Sequence, residues 1–259
     1  FMLFSGGVVH FDKLHGRLTP GRYPPVVADL MVSRWAYEAL AVSQFKNNAY
    51  EKPLFPLHRK ESRHAYRLNH YVPRLINYLD YCQNHLDQPD HPGMAEKMTT
   101  LDNEIQQLIH QYEPSANLPL QDLHRERLNL ATIRSIRDFL ERIRQYEARQ
   151  LEQVVNKKDN LIKQLGSTEK WSRLKQNHHN RALARLVKRK ANPVNIIEAN
   201  HQLYRKYEPI FIDPQHPYAR ATFYSPSKRL GPWQLDTWWF NLSVIWLFNL
   251  ILYMGLYYD

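Results

Sequence analysis

The chain has 259 residues, room for one large domain or two small ones, and its hydrophobic fraction of 43% is too low for a polytopic membrane protein. A formal charge of +10 admits nucleic acid or anionic lipid as partners, while the single cysteine, Cys82, excludes an internal disulfide. The apolar residues gather in the last 22 positions before Asp259, and the remainder is polar, charged and helix-rich.

The first residues carry neither a basic region nor a small-residue cleavage site, so they do not read as a signal peptide. Phe1 to Val9 is apolar and reads as the end of a preceding membrane helix. Gly16, Pro20, Gly21, Pro24 and Pro25 then punctuate a loop, so 1–25 is a helix end plus loop. The apolar run at the other end stops at Tyr258-Asp259 without a basic flank, and a segment cut from a longer protein at both ends is expected.

Residues 26–51 contain VVADLMVSRWAYEALAVSQFKN, a helix too apolar for a solvated surface and too charged for a simple span. An interfacial or re-entrant helix fits this composition. Arg34 and Glu38 stand four apart and share a face. The ordinary alternative is a surface pair worth a few tenths of a kcal/mol. Apolar neighbours favour a partly desolvated pair, in which loss of one member is costly.

Residues 52–216 read as a helical, coiled-coil-like body. Tyr66 to Leu79 suggests a helix with Pro73 as a kink or restart. Asp87 to Gly93 is a loop, and Leu101, Ile105, Leu108 and Tyr112 are helically spaced before Pro114. Asn117 to Pro119 is a second loop. A long stripe runs from about Arg125 to Leu165 through Ile133, Ile136, Leu140, Ile143 and Val154, weakened at Glu147 and Lys158. Such a stripe needs a partner helix in the body or in a second chain. Ser167 and Thr168 look like a cap for a helix reaching Lys190, and 193–208 reads as a last short helix. Residues 217–236 read as an extended linker.

Thr237 to Tyr258 has no charge, and its 22 residues span about 33 Å as a helix against a hydrocarbon core of about 30 Å. Trp238 and Trp239 mark one end and Tyr257 and Tyr258 the other, as aromatic belts do. This is the transmembrane helix, and Asn241, Ser243 and Asn249 are positioned to bond to neighbouring helices.

Chemistry is sparse. Ser5-Gly6-Gly7 is similar to an ATPase signature loop but lacks its following glutamine and basic residue, and there is no Walker A motif. Thirteen histidines include no metal-ligand spacing, so no metal, cofactor or catalytic residue is assigned. Lys170 to Lys190 holds Lys170, Arg173, Lys175, Arg181, Arg185, Lys188, Arg189 and Lys190. Without a nucleic-acid motif, a solvated face or contact with anionic headgroups is the preferred reading, and no nucleic-acid partner is expected.

The string DLMVSRWAYEALAVSQFKNN, Asp29 to Asn48, resembles the segment after the fifth membrane helix in the white/pleiotropic-drug-resistance branch of ABC exporters (the G subfamily), roughly S-x-x-R-Y-x-x-E-A-L-x-x-N-E-F. Ser33, Arg34, Tyr37, Glu38, Ala39, Leu40 and Phe45 match in kind, with slight shifts, and Trp35 belongs to the version seen in Bacteroidetes-type fused ATPase–permeases. Gly6-Gly7 is similar to the glycine pair near the end of helix five, and WWFNLSVIWLFNLILYMGLY to helix six. The resemblance covers 1–52 and 218–259; the middle, far longer than the usual external loop, departs from it.

It implies a mainly α permease fragment of an ATP-driven ABC-2-type exporter, multi-pass in the full protein and set in a bacterial inner membrane with 52–216 periplasmic. ATP and Mg would belong to an ATPase domain of the same polypeptide outside this segment. The partners would be the lipid bilayer and a second permease half, as a homodimer. Ser33, Arg34, Trp35, Tyr37, Glu38 and Phe45 would be the coupling candidates. The alternative is a tail-anchored helical adaptor that pairs through its long helix; a third reading is a nucleic-acid-binding helical domain.

Overall fold

A computed structural model describes residues 23–88, 91–113, 118, 128–166, 168–190 and 194–258. The span end read at 1–9, Gly6-Gly7, most of the loop at 14–25, the Asn117–Pro119 loop apart from Leu118, the opening of the long helix at 125–127 and the cap at Ser167 lie outside the described residues, as do positions 89–90 of the Asp87–Gly93 loop. The described chain is mainly helical, with two small hairpins. It forms two compact units: residues 1–59, 158–193 and 206–259, and residues 60–157 with 194–205. The expected body at 52–216 is therefore divided, its 158–193 and 206–216 segments joining the unit that holds both ends of the chain.

In the first unit, α1 (Val26–Asp29) and α2 (Val32–Lys46) replace the single helix read from 26. Met31 is extended at the break, with φ −99° and ψ 114°. The helix read through Lys190 is likewise two, α7 (Thr168–His178) and α8 (Arg181–Val187). Asn180 breaks it and caps α8, its side chain accepting from the Leu183 N–H at 3.0 Å. Ala41, Val42 and Phe45 of α2, Phe55, Ala184 and Val187 of α8, and Ile210, Phe211 and Tyr224 form the core.

The expected linker at 217–236 contains a hairpin, β3 (Ser227–Leu230) paired antiparallel with β4 (Trp233–Asp236). Gly231, with φ +57°, stands first of the two turn residues, where a hairpin turn needs the left-handed conformation. Asp236 closes β4 and caps α9 (Thr237–Tyr258), accepting from the Trp238 N–H at 2.9 Å. α9 is long and apolar enough to cross a membrane, and only Thr237 and Asn241 along it are buried.

In the second unit, α3 (Phe55–Tyr66), which begins in the first unit, runs through a π turn (Arg67–Tyr71) into α4 (Val72–Asn84). Pro73 has no N–H and clashes with the carbonyl four residues back, so the widened turn before it absorbs what would otherwise be a kink. Val72, Leu75, Leu79 and Cys82 of α4, Met94, Met98, Leu101, Ile105 and Leu108 of α5 (Met94–Tyr112), and Ile133, Ile136, Leu140 and Ile143 of α6 (Leu130–Leu165) are buried stripes at three- and four-residue steps. Asn129 caps α6 by accepting from the Thr132 N–H at 2.9 Å.

The short helix expected at 193–208 is instead a hairpin, β1 (Ile196–Ala199) with β2 (Gln202–Arg205). Asn200 and His201 turn it with φ +52° and +54°, which a helix does not permit. The β-branched pair Ile196-Ile197 and an asparagine able to turn left-handed favour this choice.

Candidate functional site

The site is the junction of α2, β3 and the first turn of α9, all within the first unit. Glu38 is fully buried, and its carboxylate has four donors around it. Oε1 accepts from Lys228 Nζ at 2.6 Å and from the Tyr224 N–H at 3.2 Å. Oε2 accepts from Asn241 Nδ2 at 3.1 Å, with an Arg34 guanidinium nitrogen at 3.7 Å. Arg34, 2% exposed, lies closer to Asp29, at 2.7 Å, and stacks over the Trp35 ring at 4.1 Å. Asn241 also donates to the Trp35 carbonyl at 3.0 Å. Two carboxylates thus offset two cations, and a carboxamide from the apolar helix completes the set.

Burial by itself drives the Glu38 carboxyl upward, but Lys228 and Arg34, with the bonds from Lys228 and Asn241, outweigh it and hold the group below its ordinary value. Burial lowers Lys228 against the pull of Glu38, and Arg34 beside it lowers it further. Asp29 is raised, again chiefly by burial. The Arg34–Glu38 pair read from the sequence is therefore part of a larger buried network in which each has a nearer ionic partner.

Contacts fix the direction of the two helices. Lys46, at the end of α2, pairs with Asp236 just before α9 at 2.5 Å, while Trp35 and Glu38 meet Asn241. The helices run antiparallel, so the start of α2 lies alongside the second and third turns of α9. Val26, Val27, Leu30 and Val32 at the start of this segment are exposed, as are Trp246, Leu247, Leu250 and Ile251 of α9. α9 in particular leaves most of its apolar side chains exposed along its length.

Of the residues singled out in the sequence, Arg34, Trp35, Glu38 and Phe45 are buried. Tyr37 is half-buried and stacks on Phe223 with centroids 6.3 Å apart, and Ser33 is exposed and outside the network. Trp238 is partly covered, and Trp239, Tyr257 and Tyr258 are exposed. Lys228 lies in the stretch whose sequence reads as a linker, where the Gly231-Pro232 turn is the one local sign of a hairpin.

The second unit holds its own buried polar network. Glu147 accepts from Arg67 at 3.1 Å and from the Tyr112 hydroxyl, and lies 2.5 Å from His64 Nδ1. Glu147 thus continues the α6 stripe as a satisfied carboxylate, where its charge had suggested a weak point. Glu104 accepts from the Tyr71 hydroxyl and from the Leu203 N–H, tying β2 to α5. Among the described residues no group of three or more His, Cys, Asp or Glu is placed to hold a metal ion.

No protein-family model matches the chain, and no curated protein or solved structure matches it.

Proposed function

We propose that this chain is the C-terminal permease segment of an ATP-driven exporter, with α9 crossing the bilayer, α1 and α2 bedded at its edge, and the body from about 52 to 216 on the outer side. The observation that carries this reading is the buried junction. The residues that resemble the exporter motif, Arg34, Trp35, Glu38 and Phe45, are those that fasten α2 to α9 and to the core behind it. A charged group at a membrane edge persists only when paired and hydrogen-bonded, and this one has three hydrogen-bond donors, Lys228 among them, with Arg34 as a second cation nearby. Such a fastening makes α2 and the first turn of α9 move together, which suits a segment that passes motion between the membrane and the outer body. ATP and Mg would be held by the ATPase domain of the same polypeptide, and the substrate path would lie between two permease halves, in a bacterial inner membrane.

The test uses the full-length gene product in cells. Single cysteines at exposed body positions such as Arg134 and Arg144 are treated with a membrane-impermeant thiol reagent. Labelling from outside the inner membrane agrees with the proposal, and labelling only after that membrane is broken refutes it. Glu38→Gln, which keeps shape and removes charge, should lower transport while the protein still reaches the membrane; an unchanged transport rate refutes the role of the junction.

A second reading, a tail-anchored adaptor pairing through its long helix, is favoured by one observation. Past Glu147, α6 continues for 18 residues to Leu165 and buries only Val154. Cytoplasmic labelling of the body together with α6-dependent dimers would favour it.

A further inference from the structure

We propose that the exposed basic face of α7 and α8 is a binding surface for anionic lipid headgroups, an inference that rests on α9 crossing the bilayer. Residues 168–190 contain eight basic side chains and one acidic one, Glu169. Arg173, Lys175, Arg181 and Arg185 are exposed, and among the described residues no carboxylate pairs with any of them. Lys190, by contrast, is held by Glu208 at 2.8 Å.

The contacts set the level of this face along the membrane helix. α8 turns Ala184 and Val187 into the core formed with Ala41, Val42 and Phe45 of α2. That stretch of α2 lies between Glu38, which meets Asn241, and Lys46, which meets Asp236. From Thr237 to Asn241 the rise along α9 is about 6 Å, so α8 sits level with the first turn of α9. Trp238 and Trp239 occupy that turn, where tryptophans mark the headgroup layer. Arg181 and Arg185, on the exposed side of α8, therefore stand at headgroup depth. Arg173 and Lys175 lie on α7, whose Trp171 packs on Tyr50, just past the end of α2, with centroids 5.0 Å apart. A cationic face at that depth, without carboxylate partners of its own, fits phosphate-bearing anionic headgroups, each basic group near such a surface contributing about fivefold in affinity. A nucleic acid would find the same charges but no reason for their depth.

The experiment uses the full chain in nanodiscs of phosphatidylcholine, alone or mixed with phosphatidylglycerol, with Cys82→Ala as background. A spin label at Leu250 reports whether α9 is in lipid. A second at Ala182, between the two arginines, reports nearness to a nickel-chelating headgroup lipid. The proposal expects the label at 182 to be relaxed by headgroup nickel. It also expects the preference for phosphatidylglycerol to fall roughly ten- to thirtyfold in R181Q/R185Q, with the fold intact. If the Leu250 label is lipid-protected while the 182 label ignores the nickel or the preference is unchanged in the variant, the headgroup surface is overturned and the span stands. A water-accessible label at 250 overturns the span and this surface with it. Displacement of phosphatidylglycerol by a short oligonucleotide at low salt overturns the proposal in favour of a nucleic-acid surface.

Discussion

Removing the Glu38 carboxylate by Glu38→Ala leaves Lys228, 1% exposed, and Arg34, 2% exposed, with Asp29 as the remaining carboxylate of the cluster. It also strips the Tyr224 N–H and Asn241 Nδ2 of an acceptor. Breaking a buried pair from one side costs about 3–5 kcal/mol, and the unmet donors are part of that cost. Against a stability of about 5–15 kcal/mol for a domain, this is a large fraction. Removing both charges with Glu38→Ala/Lys228→Met should return much of the loss, because no uncompensated ammonium remains. Denaturant unfolding in detergent, followed by tryptophan fluorescence, measures the cycle, since Trp35 lies at the junction. The reasoning is refuted if Glu38→Ala costs less than about 1 kcal/mol, or if the double variant is no more stable than the single one. The pH dependence carries its own sign. The folded Glu38 value is depressed, so its contribution is fully present above the ordinary carboxyl range and is lost as pH falls through the lower folded value. The wild type should therefore lose, below about pH 4, stability that Glu38→Gln does not have to lose.

Burial, with Arg189 nearby, lowers Lys206 to about 7, so the unfolded chain binds more protons than the folded one between that value and the ordinary lysine value. Stability should rise with pH across that window in the wild type, and the rise should be smaller by about 2–3 kcal/mol in Lys206→Met, as read from unfolding midpoints at about pH 6, below the window, and about pH 9, within it. Burial pushes the Cys82 thiol up to about 11, so a maleimide at neutral pH should label it only after unfolding; prompt labelling of the folded protein contradicts its placement in the α4 stripe. His201 turns the β1–β2 hairpin with φ +54°, and His201→Gly should stabilise the protein by about 0.5–1 kcal/mol in thermal unfolding; a loss of stability argues against that turn.

The amino-acid order alone determined the strongly periodic elements. The stripes of α4, α5 and α6, the apolar α9 with its aromatic ends, and the closeness of Arg34 and Glu38 follow from spacing along one helix, which requires no knowledge of what packs on it. Short elements were decided elsewhere. Ile196 to Arg205 and Ser227 to Asp236 carry too few residues for a period to separate strand from helix or linker, and each is fixed by the strand opposite and by left-handed turn residues. Glu147 looked like a fault in a stripe because its three partners, His64, Arg67 and Tyr112, lie far away in the chain. Lys228 is separated from Glu38 by 190 residues, and no local pattern announces such a pair. Periodicity reports which face of a helix avoids water; only tertiary structure brings together the charges that must compensate one another once water is gone.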